Sequence, residues 1–169
     1  MYDFQFADSA FTTYTMLRQT WAAVNKVAES KLAKVGLTPE KTAVLWACRD
    51  YPGTLTPAEI ARLLFRENQT VAGLLNRMEK EGLVKRIPKR KGHPYTEVKL
   101  TAKGEKACAP GIEVMKRAVT ELVAHLPVEK QEQLQDLMRM IREKALDTLH
   151  LEVTTPPGYP PGKTVPVKW

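Results

Sequence analysis

Cysteine, long apolar runs and catalytic signatures are what this chain has least of. It carries two cysteines, Cys48 and Cys108, in 169 residues, too few for a disulfide framework and in keeping with a reducing compartment. Its longest uncharged apolar stretches, such as residues 42–48, fall far short of the roughly 20 residues that span a bilayer. Residues 1–11 carry Asp3 and Asp8 and lack the basic flank and apolar segment of a secretory signal, so a cytoplasmic protein is expected. A glycine-rich phosphate loop and a G-x-S-x-G elbow are absent, and His93, His125 and His150 are scattered without ligand spacing. Neither an enzyme, a cofactor nor a metal site is therefore expected.

What is present is ordinary globular composition, 43% hydrophobic and 27% charged, in a length suited to one domain with a proper core. The net charge is +7, a balance that favours an anionic partner. Its distribution is sharper than its sum. Between residues 84 and 106 stand Lys85, Arg86, Lys89, Arg90, Lys91, Lys99, Lys103 and Lys106 against Glu97 and Glu105 only, a net of +6.

Periodicity orders the chain into mainly helical elements with one hairpin. Phe11, Tyr14, Leu17, Trp21, Val24, Val27 and Leu32 recur every three or four residues and predict a long first helix ending near Gly36. Thr38-Pro39 and Thr56-Pro57 each open a helix, because threonine caps free amides and proline needs no donor at the first helical position. The third helix is expected to bury Ile60, Leu63 and Leu64. Asn68 is a candidate cap for a fourth, with Val71, Leu74, Leu75 and Met78 inward and Gly82-Leu83 as a Schellman-type stop. Residues 84–87 and 95–100 read as strands around a basic turn, followed by helices over 101–125 and 128–151. Leu134, Leu137, Met138, Ile141, Ala145 and Leu149 stripe the last helix and suit packing on another helix. Beyond it, Pro156, Pro157, Pro160, Pro161 and Pro166 exclude helix from the tail over 152–169, with Tyr159 and Trp169 as the residues able to anchor it.

Two short helices joined tightly and followed by a basic hairpin form a winged helix-turn-helix, which can set one helix in the major groove and the hairpin on neighbouring phosphates. Opposite its apolar face the fourth helix carries Gln69, Thr70, Gly73, Asn76 and Arg77, with Asn68 at its start. Glutamine and asparagine can bond adenine in two places, threonine offers a hydroxyl and a methyl, and arginine reaches guanine or phosphate. Gly73 would let the backbone approach closely. Lys89, Arg90, Lys91 and His93 at the hairpin tip, with Arg86 at its base, are the expected phosphate or minor-groove contacts. The competing class is a winged helix that binds protein, or nucleic acid without sequence preference; that use calls for wedge residues or a broader basic face.

Leu37-Thr38-Pro39, residues 55–61 (LTPAEIA), the Glu79-Lys80-Glu81-Gly82-Leu83 helix stop and residues 100–104 (LTAKG) resemble the MarR family of regulators in order and spacing, over residues 8–150. The resemblance implies a homodimeric repressor of a palindromic operator. Residues 8–36 and 101–151 would supply dimerisation helices, and 37–100 the DNA-binding lobe. One departure is visible: where the family commonly has an Asp-Arg pair before the second strand, this chain has Gly92, His93 and Pro94, and Arg90 is the candidate substitute. The resemblance also implies relief by a small molecule or oxidant acting between the dimer helices and the DNA-binding part. Trp21, Trp46, Arg49 and Tyr51 are the candidate pocket residues, and Cys48 and Cys108 the candidate redox sensors.

Overall fold

The computed structural model describes residues 2–3, 5–88 and 96–152. The hairpin tip with Lys89, Arg90, Lys91, His93 and Tyr95, and the proline-rich tail from 153 onward, lie outside the described residues. Among the described residues six helices and one two-stranded sheet follow in the order α1 (Ser9–Ala33), α2 (Pro39–Asp50), α3 (Pro57–Leu64), α4 (Asn68–Lys80), β1 (Val84–Ile87), β2 (Glu97–Leu100), α5 (Ala102–Val123) and α6 (Val128–Thr148).

Local chemistry sets most of the boundaries. Asp8, Thr38, Thr56 and Thr101 each accept a backbone N–H from the first turn of α1, α2, α3 and α5, satisfying donors that have no partner within the helix. Gly82 stops α4 at φ +71°, with Leu83 N donating to Met78 O at 2.8 Å and Gly82 N to Glu79 O at 2.9 Å, the bond pair of a Schellman motif. The same pattern ends α3, where Phe65 holds φ +49° and Arg66 N reaches Ala61 O.

The core joins Leu32, Leu37, Val44, Leu45, Ile60, Val71, Leu75, Met78, Val98 and Ile112, all buried. α5 packs on α1 and α2, α3 on α4, and α4 on β1. The sheet is antiparallel, with Val84 opposite Leu100 and Arg86 opposite Val98. Val98 N also donates to Leu55 O at 2.9 Å, which ties the residues before α3 to the free edge of β2.

Three expectations are corrected. Leu63 is exposed, and Ala61 takes its place in the core beside Ile60, because α3 packs on α4 and α2 and Leu63 lies on the side of the helix that faces neither. Asn68 is the first residue of α4 rather than its cap; Glu67 stands at the cap position and makes no side-chain cap bond. The second strand begins at Glu97, two residues later than expected.

α1 and α6 are the least covered elements. No residue of α6 is buried, and Phe11, Tyr14, Leu17 and Trp21 on α1 stand exposed together with Leu134, Leu137, Met138 and Ile141 on α6. No helix among the described residues is long and apolar enough to cross a membrane.

Candidate nucleic-acid interface

The exposed face of α4 is held out by its buried one. Val71, Leu74, Leu75 and Met78 lock the helix to the core, and helical geometry then leaves Asn68, Gln69, Thr70, Asn76 and Arg77 exposed. Gly73 is only half-exposed, and the Arg77 guanidinium lies across it, with Nη1 3.7 Å from where a Cβ would stand. A cation rather than bare backbone is therefore presented at that position.

Arg86 on β1 does not project freely. Its backbone N–H donates to Glu79 Oε1 at 2.7 Å and its Nε to Glu79 Oε2 at 2.8 Å. Its Nη2 reaches Glu79 Oε2 at 2.5 Å and Asn76 Oδ1 at 2.6 Å. Hydrogen bonding from the Arg86 side chain holds the Glu79 carboxyl below the usual carboxylate range. The guanidinium thus clasps the hairpin to α4 in a charge-assisted bond set. Lys85 is exposed beside it, and Lys99 on β2 pairs with Glu97 at 3.1 Å.

A cleft lies between α2, β2 and α5. It has a volume of about 460 Å³ and is lined by Cys48, Arg49, Tyr51, Val98, Lys99 and Cys108 among others. Of the four candidate pocket residues, Arg49 and Tyr51 line it, whereas Trp21 is 64% exposed on α1 and Trp46 packs against the core. Trp21 misses the cleft because, among the described residues, nothing packs over the part of α1 that carries it. Arg49 bonds Asp50, and the Tyr51 hydroxyl donates to Glu59 Oε2 at 2.7 Å. Burial, helped by that bond, pushes the Tyr51 phenol up to about 12.

Both cysteines also face this cleft. Burial raises the Cys48 thiol from 9.0 to about 12 and raises Cys108 as well. Redox sensing calls for an exposed thiolate of lowered pKa; burial works against that at both thiols, while the Arg49 charge works toward it at Cys108. Among the described residues no group of three or more His, Cys, Asp or Glu side chains is placed to hold a metal ion.

Comparison with known proteins places this geometry. A family model described as MarR family matches residues 35–93, the stretch from just after α1 through β1 that stops short of β2. Transcriptional regulator HosA of Escherichia coli O127:H6 is 33% identical over 103 residues, covering 61% of this chain and 76% of that protein. Among solved structures, the organohalide-sensing RdhR transcriptional regulator in its ligand-free form superposes with a TM-score of 0.75 at 22% identity, over 96% of this chain and 98% of that one. The same regulator is also known bound to 2,4-dichlorophenol. The S. aureus MepR–DNA complex matches with a TM-score of 0.70 at 25% identity, over 80% of this chain and 99% of that one.

Proposed function

The chain belongs to the MarR family, and from that premise we propose that it is a homodimeric transcriptional regulator that binds a palindromic operator sequence-specifically and represses from it. The observation that carries the reading is the face of α4: five polar side chains, exposed together on a helix whose opposite side is fully buried, beside a hairpin holding most of the chain's excess positive charge. On this reading Gln69, Thr70, Asn76 and Arg77 meet base edges in the major groove. Asn68 and the uncapped first turn of α4 meet phosphate, since free N–H groups at a helix start favour anions. The cations of residues 89–91 and His93 take the flanking backbone or the minor groove.

The proposed dimer uses the apolar faces of α1 and α6, which a single chain leaves exposed; burial against a second copy is the simplest cover. Residues 8–36 and 101–151 then form the dimerisation part and 37–100 the DNA-binding lobe. Two copies of α4 would read half-sites about one duplex turn, roughly 34 Å, apart. The cleft between α2, β2 and α5 is the proposed effector site, since it touches both parts. RdhR binds 2,4-dichlorophenol, so phenols are the first compounds to titrate against the DNA complex.

The test is selection of bound sequences from a random duplex pool at about 150 mM salt, where purely electrostatic binding is weak. An enriched palindrome with half-sites one turn apart is expected. Binding that enriches nothing and vanishes as salt rises would overturn the proposal in favour of an architectural or protein-binding module.

A further inference from the structure

The contacts of Arg86 decide how Asn76 is turned. A guanidinium carries donors only, so the Asn76 amide can meet Arg86 Nη2 solely through its oxygen, and the 2.6 Å bond to Oδ1 fixes the orientation of the amide by chemistry. Nδ2 lies on the other branch of the same planar group. Asn76 is exposed, and its Nδ2 has no hydrogen-bond partner among the described residues. Arg86 is itself held by three bonds to Glu79, so the arrangement is anchored on both α4 and β1 before any ligand arrives.

We propose that Arg86 is a positioning residue that turns Asn76 into a one-sided donor, so that Asn76 selects a keto base, guanine or thymine, over an amino base, adenine or cytosine, at one position of each half-site. The proposal rests on α4 reading the major groove as set out above. Two-point recognition of adenine requires asparagine to accept from the N6 amine while donating to N7. Here the oxygen is engaged by a charged donor and held toward the hairpin, leaving Nδ2–H to face the base edge. Guanine offers O6 beside N7 and thymine offers O4 to that proton, cytosine N4 opposes it donor to donor, and adenine offers N7 alone with its N6 amine adjacent and repelling. The adenine pairing expected from residue type alone is thereby replaced at this position. The selectivity comes from a residue that need not touch the base.

The experiment begins with the operator enriched by the unaltered protein and measures binding to duplexes carrying each base at every position of one half-site. Asn76→Ala identifies the position by flattening its preference. The readout is the keto-to-amino affinity ratio at that position within each variant, in which uniform losses of charge or stability cancel. The unaltered protein is expected to favour the keto base by a few-fold, less than the discrimination of a two-point contact. Arg86→Met, which keeps the stem and removes the donors, should release Oδ1 and shift the ratio toward adenine. Asn76→Asp, which keeps the bond to Arg86 and so does not endanger the fold, should reverse the ratio toward an amino base. An adenine preference in the unaltered protein, no position flattened by Asn76→Ala, or an unchanged ratio in folded Arg86→Met would each overturn the proposal. Failure to enrich any sequence at the outset would instead show that the regulator reading itself is wrong.

Discussion

Single residues carry their information in what surrounds them. Cys48, a candidate redox sensor in the sequence, has its thiol raised by burial from 9.0 to about 12. A group whose folded pKa is raised favours the folded state below its unfolded value and loses that contribution as pH climbs through the folded value. Native Cys48 should therefore resist iodoacetamide at pH 8 while the unfolded chain reacts. Relative to Cys48→Ala, the stability of the unaltered protein should decline between about pH 9 and pH 12, read from denaturant midpoints. Gly104 is the reverse case, an unremarkable glycine in residues 100–104 that the fold makes indispensable. A Cβ there would stand 1.9 Å from the Leu83 carbonyl oxygen, a backbone atom that cannot swing aside. Gly104→Ala should destabilise by about 3 kcal/mol, the upper end of overpacking effects. A thermal midpoint equal to that of the unaltered chain would refute this.

Elements were legible wherever the signal was local. Threonine before proline, glycine after an apolar stripe and the three-to-four residue period placed α2, α3 and α4 within a residue or so, because caps and buried stripes are decided within one or two helical turns. The exact cap of α4 and the outward place of Leu63 on α3 were not legible. The turn between them rests on Phe65 in the left-handed region, a conformation that no propensity assigns to phenylalanine. Replacing Phe65 by glycine should relieve that strain and stabilise the fold by about 1 kcal/mol, read as a raised denaturant midpoint; a lowered midpoint would mean that the ring, although 65% exposed, is held by contacts worth more than the strain. At the hairpin and α4 the proposed division of labour has its own signature. Arg90→Ala should weaken all duplexes alike and reduce the salt slope by about 1, whereas Gln69→Ala should cost about 1 to 3 kcal/mol at particular bases only. Uniform loss from both, in salt-dependent binding titrations, would contradict base reading by α4.

At the scale of the whole molecule the governing fact is uncovered apolar surface. Leu137 and Ile141 are exposed on α6, an element with no buried residue, and Phe11, Tyr14 and Trp21 are exposed on α1. Leu137→Glu combined with Ile141→Glu should turn a dimer into monomers in sedimentation, because a carboxylate cannot be buried there without a partner, and operator binding should fall with it. A variant that remains dimeric would place the interface elsewhere. The sequence by itself determined the element order, the caps, the apolar stripes and the clustering of basic charge, since each depends on neighbours a few residues apart. Only the tertiary structure decided that Arg86 serves Glu79 and Asn76 before it can serve DNA, that Trp21 and Trp46 stand outside the cleft while Arg49 and Tyr51 line it, and that burial raises the pKa of both thiols. Those outcomes depend on residues distant in the chain meeting in space, where burial and the directionality of hydrogen bonds, rather than residue type, set what each group can do.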